Sequence, residues 1–308
     1  MANYITVDGG TTNTRVYLVS DGRIVNYIKF KMGARDCIKG GAEYRARLSS
    51  AIESLLCDNR MERAAVSAVI LSGMLTSEYG LCPVDHLVAP VGAAELHRGM
   101  KKCKIEGVEI PCYFIPGVKI GTDELSMADM MRGEETEIIG LSSNLKEQVY
   151  VLPGSHSKHV RLDGSGRICD ITTFMTGEML SALSEGTILK DAVSLNACNI
   201  SAEHLVSGCL MAEHEGISAA LFKTRILKNL FSADASACYS FFLGAILSPE
   251  IILLEKRGLD VAIGGKSLLR DPMKLLLDLR GKLKVSTFSD DETNCATAIG
   301  AVRIFEHA

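Results

Sequence analysis

One pattern of apolar runs occurs twice in this chain, and it constrains the fold more than any other feature. Residues 4–8, 15–20 and 24–31 read as three strands, and so do residues 149–153, 158–162 and 167–174. Ser20-Asp21-Gly22-Arg23 and Asp163-Gly164-Ser165-Gly166 mark the second reversal of each triplet as a turn. Helical and strand-like runs then alternate in both halves. In the first they are a helix over 41–57, strands over 65–71 and 110–115, and a helix over 132–145. In the second they include a long helix over 235–256, expected to break or kink at Pro249, strands over 260–263 and 284–288, and a helix over 291–305.

This is duplication of architecture without duplication of sequence. Strands alternating with helices predict α/β sheets, with ligands at the carboxyl ends of the strands. A chain of 308 residues, 47% of them hydrophobic, also exceeds what one core usually holds. We therefore expect two domains, 1–146 and 147–308, separated by the polar stretch 140–148, with the helix over 291–305 at a hinge.

A net charge of −4 and no basic stripe argue against nucleic acid. The apolar run 237–254 is interrupted by Ser248-Pro249-Glu250, so no membrane span is expected, and its helix is either core or a homodimer face. The first residues do not resemble a signal peptide, and the ten cysteines contain no CxxC pair. Both points predict a cytoplasmic chain with reduced thiols.

Polar punctuation falls at the strand ends. Asp8-Gly9-Gly10-Thr11-Thr12-Asn13-Thr14-Arg15 fills the first reversal. Gly9 and Gly10 let backbone N–H groups approach an anion, and Thr11, Thr12 and Asn13 add short polar groups. Asp8 would repel a phosphate unless Mg²⁺ lay between them; otherwise it is a turn former in a polar hairpin. The matching reversal carries Gly154, Ser155, His156 and Lys158, which suit a phosphate or a solvated surface turn alike. Gly264-Gly265-Lys266-Ser267 opens a helix after a strand. It permits close approach of a ring or phosphate, or is a tight turn capped by Ser267.

Paired halves with these hairpins resemble the sugar kinase, Hsp70 and actin superfamily. Within it the chain is similar to the 2-dehydro-3-deoxygalactonokinase family. The carrying residues are Met131-Arg132-Gly133-Glu134-Glu135-Thr136, Leu152 to Lys158, Phe174-Met175-Thr176-Gly177-Glu178, Ser72-Gly73-Met74 and Pro90-Val91-Gly92. The small-residue run Ala296 to Ala301 resembles the superfamily hinge helix. Two positions depart from the family pattern: Gly9 stands where it usually has Trp, and His159 where it often has an aromatic.

The resemblance implies two actin-like (ribonuclease H-like) ATPase domains with ATP and Mg²⁺ in a cleft between them. Gly264, Gly265, Lys266 and Ser267 would face adenosine, the two hairpins the phosphates, and Asp8 the metal. It implies phosphorylation of a hydroxyl, expected the terminal 6-OH, of 2-dehydro-3-deoxy-D-galactonate. Glu134 or Glu135 is the expected base, with Asp8 as the alternative, or both glutamates merely stabilise a helix start. Arg132 is the candidate for the substrate carboxylate and Arg15 the runner-up, with a salt bridge as the other reading of each. Ser72, Gly73, Met74 and Ser77 are expected to line the sugar pocket, joined by Thr176 and Glu178, although a cap alone would explain Thr176. A kinase for another small acid, or a nucleotide-gated binding module, would use the same hairpins.

Overall fold

The computed structural model describes residues 2–38, 40–141, 146–195 and 199–307. The end of the helix expected over 132–145 and part of the expected boundary at 140–148 lie outside the described residues. Two compact units form. The first comprises Met1–Lys146, Arg161–Ile171 and Asp291–Ala308, and the second comprises Glu147–Val160 and Thr172–Asp290. The segment 161–171 and the last helix, read from sequence as parts of the second half, thus group with the first unit.

The first unit contains β1 (Asn3–Gly9), β2 (Thr14–Ser20), β3 (Arg23–Phe30), α1 (Ala34–Cys37), α2 (Ala42–Asp58), β4 (Val66–Gly73), β5 (Leu87–Val88), α3 (Ala93–Gly99), β6 (Lys101–Ile105), β7 (Val108–Phe114), β8 (Val118–Lys119), β9 (Met130–Met131) and α4 (Glu134–Leu141). Its main sheet runs β3-β2-β1-β4-β7-β6. β1 pairs antiparallel with β2 and parallel with β4, so Gly9 and Gly73 end side by side in register. Tyr44, Leu48, Ile52 and Leu55 recur at helical spacing on α2 and are fully buried against Ile5, Val7, Val16 and Leu18 of the sheet.

The rest of the chain forms β10 (Val149–Leu152), β11 (Ser157–Leu162), β12 (Ile168–Phe174), α5 (Thr176–Gly186), α6 (Ala202–Glu215), α7 (Ile217–Phe231), α8 (Ala235–Arg257), β13 (Val261–Ile263), α9 (Ser267–Arg280), β14 (Val285–Thr287) and α10 (Asp290–Glu306). The second sheet runs β12-β11-β10-β13-β14, with β13 parallel to both neighbours. α8 continues through Pro249 as one helix instead of breaking there. It is apolar all round, which suits a helix enclosed by protein. Phe242, Leu243, Leu247 and Ile251 are fully buried in the core of the second unit, so α8 is core and not a free face.

In the first unit α4 and α10 meet through glycine. A Cβ on Gly140 would lie 1.7 Å from the Ala296 carbonyl oxygen, and one on Gly300 would lie 1.9 Å from that of Thr136. The small residues of 296–301 are therefore required by close helix packing.

The expectation of ten free thiols is corrected at one pair. Cys82 and Cys103 are joined by a disulfide, with Cα atoms 6.7 Å apart. Their sequence separation of 21 carries no motif; only the folding of the loop after β4 beside β6 brings them together.

Candidate active site

In the first unit the opening reversal is a tight loop at the carboxyl end of β1. The Gly10 N–H donates to the Asn13 carbonyl at 2.9 Å, and Thr11, Thr12 and Asn13 are exposed. The start of α1 fastens it, since the Ala34 and Arg35 N–H groups donate to the Gly10 and Thr11 carbonyls at 3.0 and 3.2 Å. Gly9 packs where no side chain fits: a Cβ there would sit 2.2 Å from Leu75 Cγ. Leu75 thus occupies the space beside the position where the family usually carries Trp.

Asp8 and Arg15 face each other across the hairpin, Nη1 to Oδ2 at 3.2 Å. Burial raises the Asp8 pKa, the Glu134 charge adds to this, and Arg15 opposes it. Glu137, which sequence reasoning missed, belongs to the same acidic group. Burial pushes its carboxyl up to about 8, with Glu134 and then Asp8 reinforcing the shift and Arg15 opposing it. The signal for it was its position three residues after Glu134, on the same helix face.

Glu134 and Glu135 differ sharply. Glu134 is half-buried and accepts the Arg132 N–H at 3.0 Å. Glu135 is 1% exposed and takes the Gly133 N–H on both oxygens, at 2.8 and 2.9 Å. Burial, then the Glu134 charge, raises the Glu135 pKa to about 7. Glu135 therefore stabilises the start of α4, whereas Glu134 shares the electrostatic environment of Asp8.

Arg132 is occupied. Its Nη1 donates to the Thr76 carbonyl and hydroxyl at 2.8 and 2.6 Å. Its Nη2 lies 3.0 Å from the Val84 carbonyl and 3.1 Å from His86 Nδ1. The four terminal N–H groups are thus spent on neutral acceptors, leaving no fork for a carboxylate. Ser72 is buried, with its hydroxyl 3.5 Å from the Val7 carbonyl, and the buried Ser77 donates to the Met74 carbonyl at 2.7 Å. Gly73 has φ +74°, and a Cβ there would meet the Gly9 carbonyl at 2.6 Å. Met74 is half-buried at the strand end.

The three motifs of the second unit come together. The Gly177 and Glu178 N–H groups donate to the Gly154 and Ser155 carbonyls at 3.1 and 3.2 Å, and Gly264 N–H donates to Val151. Gly265, at φ +72°, touches Pro153, where a Cβ would lie 2.8 Å from the carbonyl oxygen. Arg270, another residue missed from sequence, ties this turn down by donating to the Gly265 and Phe288 carbonyls at 3.2 and 3.0 Å. Ser155, His156, Lys266 and Ser267 are exposed. His156 Nε2 lies 2.9 Å from Glu178 Oε1. Lys158 is buried, with Nζ 2.6 Å from Thr173 Oγ1. Two capping expectations are corrected: Lys266 and not Ser267 is the N-cap of α9, and Met175 and not Thr176 that of α5. Thr176 instead turns its hydroxyl inward to Glu250.

The model of the 2-keto-3-deoxy-galactonokinase family matches residues 8–301. The chain belongs to that family. A relative from Rhizobium meliloti (strain 1021), described as a probable 2-dehydro-3-deoxygalactonokinase, is 29% identical over 62% of this chain and 59% of its own length. The 2-dehydro-3-deoxygalactonokinase of Escherichia coli (strain K12) is 25% identical over 81% of this chain and 80% of its own. A crystal structure of a protein from Sinorhizobium meliloti, provisionally described as a 2-dehydro-3-deoxygalactonokinase, superposes with a TM-score of 0.80 at 23% identity, covering 98% of this chain and 97% of that one. An ADPNP-bound activator of 2-hydroxyisocaproyl-CoA dehydratase from Clostridium difficile shares the fold at a TM-score of 0.52 and 11% identity, covering 99% of this chain and 95% of its own. The fold of this family member is therefore the α/β fold of sugar kinases and actin-like ATPases. Sugar-acid kinase chemistry is the family reading, and a nucleotide-gated module is not favoured.

Proposed function

We propose that the chain transfers the γ-phosphoryl group of ATP to the terminal 6-hydroxyl of 2-dehydro-3-deoxy-D-galactonate in the cytoplasm, giving the 6-phosphate and ADP. The observation carrying this reading is the family match from Asp8 to Ala301, which takes in both hairpins and the acidic helix start. Phosphoryl transfer asks a protein chiefly for positioning and charge neutralisation. Gly9, Gly10, Thr11, Thr12 and Asn13 would take one side of the ATP phosphates. Gly154, Ser155, His156 and Lys158 would take the other, with Gly264, Gly265, Lys266 and Ser267 at adenosine. We further propose that a division close to the expected 1–146 and 147–308, with 161–171 and 291–308 assigned to the first unit, underlies closure on the nucleotide.

Among the described residues no three His, Cys, Asp or Glu side chains converge as a metal cage. Asp8, partly exposed and close enough to Glu134 and Glu137 to interact with their charges, fits Mg²⁺ arriving with the nucleotide, since the ion would offset the crowding of negative charge. That ion would neutralise charge on the transferring phosphates.

Glu134 is the better candidate base, because Glu135 is consumed by Gly133. Arg15 is favoured over Arg132 for the substrate carboxylate, and Arg132 instead braces Thr76 and Val84 beside the wall offered by Ser72, Gly73, Met74 and Ser77. Glu178 would act through His156, and Thr176 through the hairpin below it.

Coupled ADP release with Mg²⁺-ATP tests the substrate assignment. Turnover should favour 2-dehydro-3-deoxygalactonate over its gluconate epimer and over galactonate. Equal rates with all three, or none, would discard it.

A further inference from the structure

A buried carboxylate beneath the second hairpin has no place in the reading above. Glu250 follows Pro249 in the apolar helix α8 and is fully buried. Three side chains converge on it. Ser157 Oγ lies 2.6 Å and His159 Nε2 2.7 Å from Glu250 Oε2, and the Thr176 hydroxyl donates to Oε1. All three partners are themselves buried.

Such an arrangement costs desolvation and is kept only where all its bonds are made together. Its partners are not scattered. Ser157 and His159 alternate with Lys158 on β11, so they point to one face and Lys158 to the other. Lys158 accordingly reaches Thr173 while its neighbours hold Glu250. Thr176 is the first residue of α5, whose next two N–H groups hold the Gly154 and Ser155 carbonyls. One carboxylate therefore ties the Ser157 end of the hairpin to the start of α5, whose own N–H groups hold the Gly154 end.

We propose that Glu250 is a positioning residue for the second phosphate hairpin: it fixes residues 154–158 against α5 and thereby sets nucleotide affinity without touching the nucleotide. The inference rests on the reading of that hairpin as a phosphate site.

Calorimetric titration of Mg²⁺-ADP, with KM for each substrate, tests it. Glu250→Gln keeps the shape and removes the charge; Thr176→Val removes one bond, and Thr176→Ser restores it. Both Glu250→Gln and Thr176→Val should weaken ADP binding and raise KM for ATP by about tenfold, a loss of the order expected for hydrogen bonds to a charged group. KM for the sugar acid should stay within about twofold, and Thr176→Ser should recover the nucleotide affinity. A general loss of folding would raise neither KM selectively. Unchanged ADP binding in Glu250→Gln and Thr176→Val, with Lys158→Ala weakened, would overturn the role of Glu250 alone. Unchanged ADP binding in Lys158→Ala would overturn the hairpin reading itself.

Discussion

Glu135 holds the Gly133 N–H with both carboxylate oxygens, at 2.8 and 2.9 Å, in a site that leaves it 1% exposed. Its neighbour Glu134 is half-buried and raises the pKa values of Asp8 and Glu137. Two adjacent residues of one type thus do different work, because successive positions on a helix point about 100° apart.

Glutamine substitution separates them. Glu135→Gln, which keeps an acceptor for the Gly133 N–H and removes a charge that burial disfavours, should hold Tm near neutral pH and leave kcat largely intact. Glu134→Gln should fold normally and lose about 10²–10⁴ in kcat, the usual contribution of a general base. Thermal unfolding and steady-state rates on the two variants check this; full activity in Glu134→Gln would remove it as the base.

A pH dependence follows from the carboxyls that burial and neighbouring charge push up, Glu135 to about 7 and Glu137 to about 8. The folded protein holds these protons more tightly than the unfolded chain does. The associated stability is complete below the ordinary carboxylate range and declines as pH rises toward 7 and 8. Glu250 is held below the ordinary range: burial opposes this, but His159, Ser157 and Thr176 prevail, so its contribution falls away only in acid. Tm of the unliganded protein should drop between about pH 5 and 8, and Glu137→Gln should flatten that slope. The effect should be modest, since Glu137 is half-buried and solvent screens it.

Gly9 and Leu75 form a volume pair. Gly9→Ala places a methyl group 2.2 Å from Leu75 Cγ and should cost about 1–3 kcal/mol by overpacking. Gly9→Ala combined with Leu75→Ala should be more stable than the two separate losses would sum to, because the clash is gone. A double-mutant cycle from denaturant unfolding measures the difference.

The Cys82–Cys103 bond closes a segment of 21 residues. Restricting a loop of that size in the unfolded chain stabilises by about 3 kcal/mol. Dithiothreitol should lower Tm and raise the titratable thiol count by two. An unchanged thiol count would show that the purified protein lacks the bond.

Both strand triplets, their polar reversals and the glycine-marked turn after β13 were legible as local features, since apolar runs and turn residues write themselves into neighbouring positions. Helix α8 was legible as apolar but not as unbroken through Pro249. The lone carboxylate beside that proline was visible as a letter and meaningless as one. Its partners Ser157, His159 and Thr176 lie 93, 91 and 74 residues away.

By itself the sequence determined what short-range chemistry can specify: the paired α/β halves, the hairpins rich in Gly, Thr and Asp, and the motif spacing that marks the family. Tertiary structure alone decided which side chains remain available for chemistry. Arg132 is spent on Thr76, Val84 and His86, Glu135 on Gly133, and Thr176 on Glu250, while Glu137 joins Asp8 and Glu134. The physical reason is that a side chain's role depends on the donors, acceptors and charges packed around it, and here folding brings those neighbours in from distant parts of the chain as well as from the next turn of helix.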